Sequence, residues 1–164
     1  MNGISLLRSG HDAWVRLTRR QGTGPAADSM ACVDKAAVEM WVASYEQAWR
    51  TPGIEPLAEL FTPDVTYVPS PWAQPIVGLS RLGLWWDAER AGPDEPFTMT
   101  SEVVAVDGKA AVVRIEVTYL LDDPSRWRDL WILRFDADGR CARFEEWPFA
   151  PNQPNGHRGA GMDA

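Results

Sequence analysis

Histidine is almost missing from this chain. Its 164 residues hold only His11 and His157, so the body between residues 34 and 150 has none. That excludes a Ser-His-Asp triad and a histidine-based metal centre from the body. Acid/base work there falls to Asp, Glu and Tyr, with arginine able to hold a carboxylate ionised. Cysteine is scarce too. Cys32 and Cys141 are far apart and lack CxxC spacing, which argues against a zinc site and fits two reduced thiols in a cytoplasmic protein. No metal and no cofactor are expected. No run approaches the roughly 18 apolar residues of a membrane span, and no apolar leader follows Met1. No Gly-rich phosphate loop is present. Positive charge is short: the net charge is −7, and residues 31–164 hold 12 basic side chains against 21 acidic ones. An acidic body repels phosphate, so neither nucleic acid nor a membrane is an expected partner.

Tryptophan is abundant. There are nine, eight of them between Trp41 and Trp147. Hydrophobic residues make up 45 % of the chain, which suits one globular domain able to bury a core and still enclose a cavity. Indole walls suit a small apolar or aromatic ligand with a few polar groups. The expected organisation is a tail over 1–33, a domain over 34–150 and a second tail over 151–164. The Gln21–Ser29 segment breaks any order in the first tail, and both Met1 and Met30 stay open as starts.

Within the domain, Asp34 caps a predicted helix to about Arg50, with Val38, Trp41, Val42, Tyr45 and Trp49 recurring at helical spacing. Thr51-Pro52-Gly53 stops it, and Pro56 opens a short helix ending near Phe61. Thr62-Pro63-Asp64 reads as a turn, Val65–Pro69 as a strand, and Gly78 as the start of a third helix carrying Trp85 and Trp86. Four strands follow: Phe97–Val106, Ala110–Leu121, Trp127–Phe135 and Cys141–Trp147, with Asp107-Gly108 and Asp138-Gly139 as hairpin turns. An antiparallel meander needs one face covered, and the three leading helices can cover it. The fold class is α+β, a cone-shaped curved antiparallel sheet under three N-terminal helices. Both faces of the long strands carry apolar residues, so a homodimer through the outer face is expected.

The order from Leu60-Phe61-Thr62-Pro63-Asp64 through the Gly78 helix to three long strands resembles the nuclear transport factor 2-like superfamily, in particular its SnoaL-like group. The resemblance covers about residues 34–150. It implies a pocketed cone, which hosts unrelated activities. Tyr45 falls where a ketosteroid isomerase keeps its oxyanion tyrosine, but that enzyme's base position falls on Pro69 and its protonated aspartate near Trp131, two residues from Asp129. The constellation of limonene epoxide hydrolase is the better match. Arg114-Ile115-Glu116 is similar to its Arg-x-Asp, Glu146 falls at its second carboxylate and Tyr67 at its water-holding tyrosine, while its asparagine falls on Pro69.

Arg114, Glu116 and Glu146 are therefore the candidate catalytic residues implied by the resemblance. Arg114 and Glu116 share one strand face, Val113, Ile115 and Val117 the other. If Arg114 faces inward, it can bridge two carboxylates and keep one ionised while burial keeps the other protonated. If it faces outward, the same charges form a solvated cross-strand ladder. Candidate ligand-binding residues are Tyr45, Trp49, Tyr67, Trp72, Trp86, Met99, Asp129 and Trp131, with Trp85 as a further wall residue. Asp129 lies between Trp127 and Trp131 on one face, either as a carboxylate of raised pKa or as an ion-pair partner of Arg126 or Arg143. Two functions stand: a cofactor-free acid/base enzyme, hydrolase or isomerase, acting on a small apolar metabolite, or a binding or dimerisation module without turnover.

Overall fold

The computed structural model describes residues 32–90, 95–120 and 124–154. Most of both expected tails lies outside these residues. Val33 is pinned, its N–H donating to the Gly108 carbonyl at 3.0 Å.

The first helix, α1 (Lys35–Trp49), starts at Asp34, whose Oδ1 accepts from the Ala37 N–H at 2.8 Å. Its buried stripe is Val38, Trp41, Val42, Tyr45 and Ala48, a spacing that lays one face on the sheet. Helix α2 (Leu57–Leu60) is one turn long, and its Leu60 carbonyl accepts from the Trp41 indole at 3.0 Å. Helix α3 (Leu79–Glu89) opens at Gly78, where φ is +90° and a side chain would be strained.

The strands are β1 (Phe61–Val68), β2 (Ile76–Val77), β3 (Phe97–Asp107), β4 (Ala110–Tyr119), β5 (Ser125–Phe135) and β6 (Cys141–Phe149). They form one six-stranded sheet in the order β2-β1-β6-β5-β4-β3. The meander β3 to β6 is antiparallel throughout, as expected. Strand β1 joins it parallel to β6, and β2, absent from the sequence reading, pairs antiparallel with β1. Thr62-Pro63-Asp64 is a bulged part of β1 and not a turn. The register shifts between Phe61 and Thr66, and Pro63 sits in that irregularity, where a missing N–H costs no ladder bond.

Alternation decides what each strand buries. On β4 the inward residues are Ala111, Val113, Ile115 and Val117; on β5 they are Asp129, Trp131, Leu133 and Phe135. Phe144 from β6 stacks between Tyr45 (5.5 Å, 5°) and Tyr67 (4.6 Å, 4°). This aromatic plug, with Trp41 edge-on to Phe61 and Phe135, fills the narrow end of the cone.

Candidate functional site: a carboxylate pair in an aromatic cavity

The wide end is open. A cavity of about 450 Å³ lies between the helices and the inner sheet face. Helix α1 contributes Tyr45, Glu46 and Trp49, and α3 contributes Trp85 and Glu89. Tyr67 and Pro69 come from the β1 end, Phe97 and Met99 from β3, and Val117 and Tyr119 from β4. Strand β5 adds Trp127, Asp129 and Trp131, and β6 adds Glu146 and Pro148.

Sheet register brings two carboxylates together. Trp131 is paired with Glu146, and Asp129 with Pro148, so Asp129 and Glu146 are diagonal neighbours on the inner face. Such positions are about 7 Å apart. Asp129 is buried, and its Oδ1 has no hydrogen-bond partner among the described residues. Glu146 Oε2 accepts from the Tyr67 hydroxyl at 3.2 Å, and Tyr67 lies 3.3 Å from the Tyr45 hydroxyl. With Tyr67's one proton committed to Glu146, Tyr45 must donate to Tyr67. Protonation of Glu146 at Oε1 leaves this direction intact, because Oε2 still accepts.

Desolvation governs the protonation of this site. Burial, then the negative charge of Asp129, lifts Glu146 to about 8, against a smaller opposing pull from the Tyr67 hydrogen bond. Burial lifts Asp129 to about 6. Burial, and next the negative charge of Glu146, holds the Tyr45 and Tyr67 phenols well above the ordinary range. Near neutral pH the pair therefore shares about one proton, held mainly on Glu146. Base and acid face one cavity without a histidine.

The expected Arg114-Glu116-Glu146 constellation does not assemble. Arg114 and Glu116 project from the opposite face of β4, because Val113, Ile115 and Val117 take the inward positions of that strand. Arg114 pairs with Glu102 on β3. Glu116 accepts from Arg126 at 3.1 Å and lies 2.9 Å from Arg128, and this pairing with the arginines holds its carboxyl below the ordinary range. That is the solvated cross-strand ladder. Only Glu146 of the three reaches the cavity. Trp72 is likewise outside: it is 95 % exposed in the loop before β2 and does not line this cavity. Trp86 is fully buried, but behind the wall, edge-on to Trp49 and Tyr45 at 4.6 and 5.1 Å. Tyr45, Trp49, Tyr67, Met99, Asp129 and Trp131 all line the cavity, as does Trp85. Asp129 pairs with neither arginine, since Arg126 binds Glu116 and Arg143 binds Glu145.

Sequence reasoning missed Glu46, Glu89, Glu95 and Tyr119 as lining residues. Glu46 carries a weak signal, being next to Tyr45 and one turn before Trp49 and Arg50. Glu89 and Glu95 flank a segment with no periodicity, so nothing local orients them. Among the described residues no cluster of His, Cys, Asp or Glu has metal-holding geometry. No helix among them is long and apolar enough to cross a membrane.

A curved, unclosed sheet roofed by three helices around one end cavity defines a pocketed α+β cone of the nuclear transport factor 2-like class. Within that class the chain belongs to the SnoaL-like domain family, whose model matches residues 41–144. Solved structures share the fold. The epoxide hydrolase/cyclase-like enzyme SalBIII, which has a role in pyran ring formation in the polyether salinomycin, aligns with a TM-score of 0.59 at 15 % identity, over 71 % of this chain and 93 % of its own. A ketosteroid isomerase-like protein from Erwinia carotovora atroseptica aligns with a TM-score of 0.53 at 24 % identity, over 71 % and 96 %. No curated protein sequence matches the chain.

Proposed function

We propose that this protein is a cofactor-free acid/base catalyst for a small, largely apolar substrate, with Asp129 and Glu146 as its catalytic pair. The observation that carries this reading is the convergence of a buried and a half-buried carboxylate, with no cation among the described residues paired to either, on an aromatic cavity of small-molecule size. A carboxylate ionised above about pH 6 can remove a proton from carbon or from water. A carboxyl protonated below about pH 8 can deliver one to a carbonyl, ether or epoxide oxygen. The Tyr45–Tyr67 hydrogen-bond chain holds Glu146 in place. Both isomerisation and epoxide opening use these parts. The shared fold with the epoxide hydrolase/cyclase-like enzyme SalBIII and with a ketosteroid isomerase-like protein supports testing both chemistries.

The test is turnover of a panel of β,γ-unsaturated ketones and small epoxides in D₂O, read by NMR for product and for solvent deuterium in carbon. The expected rate profile is a bell with limbs near pH 6 and 8, assigned to the pair and not to either residue alone. Asp129→Asn and Glu146→Gln should each cost at least about 10²-fold. Turnover that survives both substitutions would remove the pair from the mechanism.

We also propose a homodimer through the outer sheet face. Leu130, Ile132, Trp147 and Phe149 are exposed there on β5 and β6, with Leu130 paired to Trp147. Light scattering should give a dimer mass, and Ile132→Glu should halve it; a monomeric parent protein would overturn this.

A further inference from the structure

The cavity wall is charged in one sense only. Glu46, Glu89, Glu95, Asp129 and Glu146 line it, and among the described residues no Lys, Arg or His does. Glu46 alone is neutralised, by Arg50 at 2.6 Å. The other four make no ion pair with any described residue. Asp129 Oδ1 and Glu95 Oε2 are buried without a hydrogen-bond partner among the described residues.

Leaving carboxylate oxygens dry and unpartnered is costly, so a wall built this way lacks a donor or a positive charge. The neighbours narrow the choice. Asp129 sits between the inward indoles of Trp127 and Trp131 on β5, and Trp49 and Trp85 face it from the helices. Indole faces attract cations and combine poorly with anions. This wall already shows the effect, since the Arg50 guanidinium lies 3.7 Å from the centre of the Phe97 ring.

We infer that the ligand of this cavity is a cation, a protonated or quaternary amine on an apolar or aromatic skeleton. The inference rests on the proposed small-molecule site and names its substrate class. The unpartnered carboxylates of Asp129 and Glu95 supply the charge complement and the indoles supply the cage. Anionic ligands are rejected by the same carboxylates. Burial raises both Asp129 and Glu146, the negative charge of Asp129 raises Glu146 further, and a bound ammonium would oppose these penalties on charge. Among the described residues, the titratable groups facing Asp129 and Glu146 are Tyr45 and Glu46 on α1, Tyr67 on β1, Glu89 on α3, Glu95 ahead of β3 and Tyr119 on β4. None carries positive charge.

The test compares three probes on one skeleton: 2-phenylethylamine, 2-phenylethanol and phenylacetate. Binding to the full chain is followed by calorimetry and by quenching of tryptophan fluorescence. The amine should bind at least tenfold tighter than the alcohol, and phenylacetate more weakly than either. Benzyltrimethylammonium, whose charge is fixed, should gain affinity from pH 5 to 8 as Asp129 ionises. Glu95→Gln and Asp129→Asn should each cut the amine-to-alcohol ratio at least threefold while the alcohol still binds, which also shows that the variants are folded. The inference is overturned if the alcohol matches the amine, if phenylacetate binds best, if both variants keep the ratio, or if no probe binds. Its failure is separable from failure of the catalytic reading. Neutral substrates turned over without amine preference would refute only the cation, and amine preference without proton transfer to any substrate would refute only the catalysis.

Discussion

Replacing Glu146 with glutamine is expected to stabilise the protein, and to do so only as pH rises. In the fold this carboxyl keeps its proton to about pH 8, whereas an unfolded chain loses it near the ordinary 4.5. Between those values the folded state binds more protons than the unfolded one, so stability falls as pH rises through the window. A glutamine has nothing to ionise and escapes the fall. The gap between 4.5 and about 8 sets a ceiling of about 5 kcal/mol, at about 1.4 kcal/mol per pH unit. The cavity opens to water, and relaxation around the ion reduces that to about 2 kcal/mol. For a domain of this size, about 2 kcal/mol corresponds to about 4–8 °C in melting temperature. Thermal melts followed by circular dichroism from pH 5 to 9 would show the variant close to the parent at pH 5 and ahead of it by that margin at pH 9. A difference that stays flat across pH would refute the reasoning, as would one largest at pH 5. Either would mean that Glu146 is ionised and solvated in the fold, and the proton inventory proposed for the site would be wrong.

Three further outcomes follow from the same geometry. Tyr67→Phe cuts the Tyr45–Tyr67–Glu146 chain and leaves a buried phenol and a carboxyl short of a partner, so it should destabilise by about 1–3 kcal/mol in denaturant titrations. Trp86→Ala empties a fully buried site behind the cavity wall and should cost about 3–5 kcal/mol, whereas Trp72→Ala, in an exposed loop, should leave the melting temperature unchanged. Arg114→Ala and Glu116→Gln break only the outer ladder, and neither should alter tryptophan quenching by a cavity ligand; a loss of binding in either would place the outer face in the site after all.

How much of this was readable in the chain can be judged strand by strand. The elements were legible because each carries its own punctuation: Asp34 caps α1, Gly78 opens α3, and the Asp-Gly pairs close the hairpins. Strand β2 was not legible, since two residues in a proline-rich loop have no periodicity. They become a strand only because β1 offers them an edge. The parallel β1–β6 pairing is also non-local, being set by where the helices return the chain.

The site was legible in half. On β4 alternation alone gives the answer, for Val113, Ile115 and Val117 claim the interior and leave Arg114 and Glu116 outside. The family resemblance pulled the reading the other way, toward an Arg-x-acid motif whose members face water here. On β5 and β6 the same rule yields the positive signal. Asp129 occupies an interior position between Trp127 and Trp131, and Glu146 one between Phe144 and Pro148. A carboxylate in the apolar register of a strand is costly to bury, and the strands tolerate two of them on diagonal positions. Burial keeps a proton on one of them, and a bound ligand can supply what the other lacks. What the sequence could not carry is convergence. Glu89, Glu95 and Tyr119 meet Asp129 only after a helix, a connection and a twisted sheet have placed them. The charge character of the cavity is therefore a property of the assembled cone, legible in no single segment, and it bears more directly on the choice of ligand than any motif in the chain.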